Sequence, residues 1–268
     1  MMTNSKTMMR LWSGFRTMSN FCIVCTPRSG SYYFFEYMSK TFDLVEGTEW
    51  FGRNKSVDLT KPFDLITKRL DIDWTKNEDL LTEKDIQMRL RHLENFPLPY
   101  CIKTMPLQLT NTPTQCGWGP MQRVHFATQI LKDFDLVWFQ RNDKISHFCF
   151  ELTAMYCSQP DYPRDREYST YDPPSRKTPP DNSFTATYED YKKYMYREDI
   201  TNLVMKNFDV PVITYEEFSK DQDDAMLKIQ EYYGIKANFR EENKKEIIEN
   251  PDYSKIFTNY DEVEKWFL

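Results

Sequence analysis

An apolar, β-forming run, Phe21-Cys22-Ile23-Val24-Cys25, gives way to a polar turn, Thr26-Pro27-Arg28-Ser29-Gly30-Ser31. Such a run without polar alternation marks a strand buried on both faces. Helical spacing follows from Tyr32, with Phe35, Met38 and Phe42 on one side. Phe42 to Phe51 reads as a short strand and a loop, and residues 52–99 are polar and charged with a helical patch at Glu83 to Leu93. A second core strand spans Pro99 to Met105 and is ended by Pro106; residues 107–120 read as loop. Gln122 to Lys132 is a predicted helix and Phe134 to Gln140 an apolar strand. Arg141-Asn142-Asp143 turns the chain, with Asp143 as N-cap of a helix running to about Ser158. That helix puts Ile145, Phe148, Cys149, Leu152 and Tyr156 on one face. Tyr188 to Phe208 is helical, Val210 to Thr214 is a last strand, and Asp221 to Tyr233 is a helix closed by Gly234. Strands separated by helices, without hairpin signals, predict an α/β fold: a parallel sheet flanked by helices on both faces. We expect one domain over residues 18–268, with residues 1–17 as a disordered N-terminal extension in which Met1, Met2, Met8 and Met9, like Met18 after it, are candidate starts.

The composition changes this picture in a few places. At 268 residues the chain is long enough for one large core. Its net charge of −6 argues against general affinity for nucleic acid or acidic membranes, so an anion site must be local. The six cysteines, Cys22, Cys25, Cys101, Cys116, Cys149 and Cys157, lie mostly in apolar segments. Reduced, buried thiols and a cytoplasmic location are expected. Cys22 and Cys25 have the spacing of half a metal or redox site, but no second pair accompanies them and we expect a structural role. No segment approaches a membrane span, and the first twenty residues lack the apolar core of a signal peptide. Residues 159–183 hold six prolines among aromatic and charged residues. A loop of that length reads either as a lid or substrate wall or as a surface insertion.

The chemistry concentrates in the first turn. A buried strand, a tight polar turn and a helix start direct backbone N–H groups and about half a positive charge at one spot. Gly30 permits close approach of an anion, Ser29 and Ser31 carry hydroxyls, and Arg28 has a planar fork of donors for phosphate or sulfate. With one glycine and no lysine it is not the nucleotide-binding G-x-x-x-x-G-K-[ST] loop. The competing reading is a plain strand–turn–helix corner with a surface arginine.

Four stretches in order bear on that choice: Pro27 to Ser31, Ile102-Lys103-Thr104-Met105-Pro106, Leu131 to Asp143, and Val212 to Phe218 with Tyr232 to Ile235 after it. They resemble the [KR]-S-G-[ST] loop, the V-K-T-H-x-P strand end, the segment ending in a 3′-phosphate-binding arginine, and the Y-E-D-L and L-G-[ILV] pieces of the sulfotransferase superfamily. Arg28 and the Gly47-Thr48-Glu49-Trp50-Phe51 stretch are more similar to the bacterial trehalose-sulfotransferase-like group. The resemblance implies a P-loop NTPase-like sulfotransferase fold. It also implies a site for 3′-phosphoadenosine 5′-phosphosulfate as co-substrate, with no metal demanded. By the same resemblance Arg28, Ser29, Gly30, Ser31 and Tyr32 hold the 5′-phosphosulfate, Arg141 pairs with the 3′-phosphate, and Lys103 neighbours the transferring group. Two departures stand out. Cys149 occupies the place of a phosphate-binding serine, with Ser146 near by, and the C-terminal R-K-G-x-x-G loop is absent. The family's histidine base is Met105 here, and Glu49 is its best replacement, ahead of His92, His125 and His147. The expected acceptor is a hydroxyl on a small molecule or glycan, with Tyr162, Tyr168 and Tyr171 available to stack on sugars. A non-catalytic ligand-binding protein and a nucleotide-dependent phosphotransferase are the alternatives.

Overall fold

Alternation along the first strand decides the layers, because successive side chains of a strand point to opposite faces. In β1 (Phe21–Cys25), Phe21, Ile23 and Cys25 enter one core cluster while Cys22 and Val24 enter another. The computed structural model describes residues 20–51, 82–110, 117–156, 179–244 and 250–268. In it β1 lies at the centre of a five-stranded, all-parallel sheet in the order β2-β3-β1-β4-β5. The other strands are β2 (Val45–Glu49), β3 (Tyr100–Thr104), β4 (Asp135–Gln140) and β5 (Val212–Thr214).

One face is covered by α1 (Ser31–Thr41) and α8 (Gln222–Tyr233), which bring Phe34, Phe35, Met38, Met226, Ile229 and Tyr233 against the odd positions of β1. The opposite face is covered by α2 (Glu83–Glu94), α3 (Pro106–Thr110), α4 (Pro120–Leu131) and α6 (Tyr188–Met205). A third cluster joins α5 (Lys144–Tyr156) and α6 to the C-terminal α9 (Tyr253–Ile256) and α10 (Tyr260–Trp266). The expected α/β architecture is therefore the observed one.

Three differences from the sequence reading have plain causes. Pro106 does not only end a strand. It starts the short α3, since a proline lacks the N–H that a first helical residue leaves unpaired anyway. Tyr215-Glu216-Glu217-Phe218 opens α7 (Tyr215–Lys220), nucleated by a capping box in which Thr214 and Glu217 bond each other's backbone N–H. The C-terminal segment also docks on the domain: Phe184 N–H donates to Ile256 O and Thr258 N–H to Phe184 O.

Cys22, Cys25, Cys101 and Cys149 are buried free thiols. Because Cys22 and Cys25 face opposite sides of the sheet, they form neither a metal nor a redox pair. Cys116, Cys157, Tyr162, Tyr168, Tyr171 and the proposed 1–17 extension lie outside the described residues. Among the described residues no helix is long and apolar enough to cross a membrane.

Candidate active site: an anion loop beside a buried arginine

The turn after β1 leaves the carboxyl end of the central strand, between the helices of the two faces. In open parallel sheets this is where ligands bind. Gly30 is the N-cap of α1 at φ 83°, and it supplies no side chain to the first-turn amides, which carry no acidic neighbour in that turn either. By contrast α2, α6, α7 and α8 are capped by their own Thr or Asp side chains. The start of α1 is thus left electropositive, which suits an anion. Arg28 also holds a left-handed backbone, at φ 58°. That conformation costs a non-glycine residue about 1 kcal/mol or more.

The two serines divide their tasks. Ser29 is fully buried and its hydroxyl donates to Thr26 O at 2.9 Å, so it braces the turn from inside. The hydroxyl expected to meet an anion is thus engaged within the turn. Ser31 is buried at the helix start, while Tyr32 is exposed and edge-on to Tyr33.

Arg141 follows β4, the strand paired with β1. It is 2% exposed, its Nε has no hydrogen-bond partner, and among the described residues no carboxylate pairs with it. Its guanidinium lies over the Tyr215 ring, 4.6 Å from the centroid. The same ring presses on the loop: a Cβ added at Gly30 would sit 2.5 Å from Tyr215 Cδ2. Tyr215 therefore forms one wall shared by the loop and the arginine. A buried arginine left without an anionic partner is costly unless a ligand supplies one.

The remainder of the Tyr-Glu-Glu-Phe segment fixes this wall. Both Glu216 oxygens accept from Asn142 N–H at 3.1 Å, and Oε1 accepts from Asp143 N–H at 3.0 Å. Phe218 is buried against Phe34 and Phe139. This tethers the turn carrying Arg141 to α7.

On the other side of β1, Glu49 at the end of β2 stands in register with Lys103 at the end of β3. Their side chains form an ion pair at 3.0 Å, with Lys103 buried and Glu49 37% exposed. Burial opposes ionisation of Glu49, but the charges of Lys103 and Arg28 outweigh it and hold the carboxyl below its ordinary range. Gln108 of α3 completes the group. Its Oε1 accepts from Thr104 Oγ1 and Met105 N–H, leaving its NH₂ for Glu49. Sequence reasoning missed Gln108 because α3 was read as loop. Met105 packs against the core cluster of β1.

Cys149, Ser146 and the three histidines have other surroundings in the fold. Cys149 is buried in the aromatic third cluster, where burial pushes its thiol up to about 12 and keeps it neutral. Ser146, its suggested substitute, donates its hydroxyl to Asp143 Oδ2 at 2.6 Å while its N–H takes Asp143 Oδ1 as the expected N-cap. Neither is free to meet a phosphate in this arrangement. None of the three histidines is placed as a base: His125 is exposed on α4, His92 stacks on Trp50, and His147 is fully buried with both ring nitrogens engaged.

No protein-family model matches the sequence, and no curated protein does. Among solved structures the chain is similar to mouse sulfotransferase SULT7A1 complexed with PAP, at 17% identity over 84% of this chain with a TM-score of 0.41. It spans 62% of that protein's length. It is also similar to the sulfotransferase domain from the curacin biosynthetic pathway, at 12% identity, 90% coverage of this chain, 84% of that one and a TM-score of 0.45.

Proposed function

We propose that the protein is a sulfotransferase that moves a sulfuryl group from 3′-phosphoadenosine 5′-phosphosulfate to an acceptor hydroxyl. One observation carries the reading: the uncapped α1 start and the buried Arg141, which pairs with no carboxylate among the described residues, share the Tyr215 wall. That is one cation for each end of a ligand with two separated anionic groups. The fit to the donor rests on these features and on the four-motif resemblance. Arg141 would take the 3′-phosphate. Arg28 and the amides of Ser29, Gly30 and Ser31 would take the 5′-phosphosulfate, with Tyr32 at the rim.

Transfer breaks the bond between sulfur and the bridging phosphate oxygen, which leaves with the electron pair, and forms a bond from sulfur to the acceptor oxygen. Arg28, Lys103 and the loop amides stabilise charge growing on the bridging oxygen, a term that is often the largest in catalysis. Glu49 accepts the acceptor's proton. It is ionised because Lys103 and Arg28 hold it so, and its 37% exposure leaves it open to an incoming hydroxyl. A hydroxyl of a small molecule or glycan is the proposed acceptor class.

The test is calorimetric titration with 3′-phosphoadenosine 5′-phosphate beside ATP–magnesium. Binding of the former, weakened about 100-fold or more in Arg141→Ala, is expected from loss of a charge-assisted, buried contact. Binding of ATP–magnesium instead would move the assignment to a phosphotransferase. Binding without transfer to any acceptor, in a chain with Met105 where the family has its base, would favour a ligand-binding protein.

A further inference from the structure

Beneath the anion loop lies a buried polar cluster that the proposed chemistry does not use. His147 of α5 has Nε2 2.6 Å from Pro27 O and Nδ1 3.1 Å from Tyr194 Oη. A carbonyl oxygen can only accept, so Nε2 carries the proton and Nδ1 accepts from the Tyr194 hydroxyl. Glu198 Oε1 stands 3.8 Å from Nδ1, and its Oε2 pairs with Lys144 at 2.6 Å. Burial lowers the ring's pKa to about 4, with Arg141 and Lys144 adding to this against Glu198 and Pro27 O, so the ring is neutral. The tautomer is therefore set by the fold.

The carbonyl that His147 grips belongs to the peptide joining Pro27 to Arg28, and Arg28 is the residue with φ 58°. Left-handed backbone in a residue with a Cβ persists only where its surroundings over-determine it. Ser29 Oγ to Thr26 O is one brace of this turn; His147 is the other, from a different element. We infer that His147 is a positioning residue: it holds the Pro27–Arg28 peptide so that Arg28 and the following amides face one anion. The functional consequence rests on the donor reading above. The hold on the turn does not.

The experiment combines His147→Phe, which keeps the volume but removes the donor, with His147→Gln, whose Nε2–H reaches the same carbonyl. For 3′-phosphoadenosine 5′-phosphate, Kd should rise about tenfold in His147→Phe, as loss of one well-aligned hydrogen bond implies. It should return to within about threefold of wild type in His147→Gln, a rescue that a space-filling role would not give. Backbone NMR couplings and shifts should report positive φ at Arg28 in wild type and His147→Gln and its loss in His147→Phe. Retention of positive φ in His147→Phe, or no rescue by glutamine, overturns the inference. Should His147→Phe not fold, imidazole ¹⁵N shifts of the wild type decide: the Nε2–H tautomer upholds the grip on Pro27 and the Nδ1–H tautomer refutes it. If the wild type does not bind the nucleotide at all, the donor reading fails, and the Arg28 backbone measurement still judges His147.

Discussion

Glu49 and Arg28 divide two demands that a single residue could not meet. On the proposed reading Arg28 stays charged next to an anion, whereas Glu49 keeps a lone pair available within reach of a proton. Lys103 first, and Arg28 after it, hold the Glu49 carboxyl below its ordinary range against the opposing effect of burial, so it is ionised at mildly acidic pH. Arg28→Ala should lose about two orders of magnitude in sulfuryl transfer, the size seen when one preorganised donor is removed from a developing negative charge. Glu49→Gln should keep nucleotide affinity while abolishing turnover. Calorimetry with the donor product and an acceptor assay with labelled donor separate the two variants. Near-wild-type turnover in Arg28→Ala would sink the loop assignment, and unchanged turnover in Glu49→Gln would remove Glu49 as the base. Arg28 was legible in the sequence as a donor in the polar turn after an apolar strand, whereas Lys103 and Arg141 were legible only through the resemblance. Glu49 was legible only through resemblance; its pairing with Lys103 depends on the register of β2 and β3.

At the scale of elements, the loop, α7 and the turn after β4 act as one unit. Tyr215 touches both Gly30 and Arg141, and Glu216 binds the amides of Asn142 and Asp143. Gly30 is required twice over. Its φ of 83° is disfavoured for any residue with a Cβ, and the Cβ itself would meet the Tyr215 ring. Gly30→Ala should therefore cost about 1–3 kcal/mol of stability and, by displacing Tyr215, weaken nucleotide binding as well. Denaturant unfolding and titration check both arms. Wild-type stability in this variant would mean that the ring yields and is not a fixed wall. The helix–strand alternation that builds these elements was readable from periodicity. The short α3 and α7 were not, because five or six residues carry too little pattern, and each rests on one local device, a proline at the first position or a capping box.

For the whole molecule, the buried His147 and Glu151 make opposing contributions to stability as pH changes. His147 has its pKa lowered from 6.5 to about 4 by burial. The unfolded chain binds this proton more readily, so stability is lost as pH falls from about 6.5 towards 4, by about 3 kcal/mol. Burial raises Glu151 from 4.5 to about 7 despite the nearby Arg197 and Arg28. Here the folded chain binds the proton more readily, so stability present below 4.5 is lost as pH rises to 7, by a similar amount, about 3 kcal/mol. The wild type should be nearly flat between pH 5 and 6.5, as roughly equal slopes oppose. His147→Gln should lose stability as pH rises across that window, and Glu151→Gln should gain it. Urea unfolding at the two pH values tests this, and parallel profiles for the three proteins would refute it.

Apart from Lys103 and Arg141, which only the resemblance singled out, the sequence by itself determined the α/β layers, the central strand, and the polar turn after it with Arg28, Ser29, Gly30 and Ser31. These follow from local facts: hydrophobic period, breaks in it, and residues whose chemistry is visible one at a time. Tertiary structure alone decided which of them meet. It put Tyr215 between Gly30 and Arg141, though they are far apart in the chain. It set Glu49 against Lys103, and it set His147 beneath Pro27 rather than before an acceptor. Burial and pairing are sums over neighbours from many segments, so no single stretch of sequence contains them. That is why the ionisation of Glu49, the neutrality of His147 and the burial of Arg141 against Tyr215 emerge only once the chain is folded.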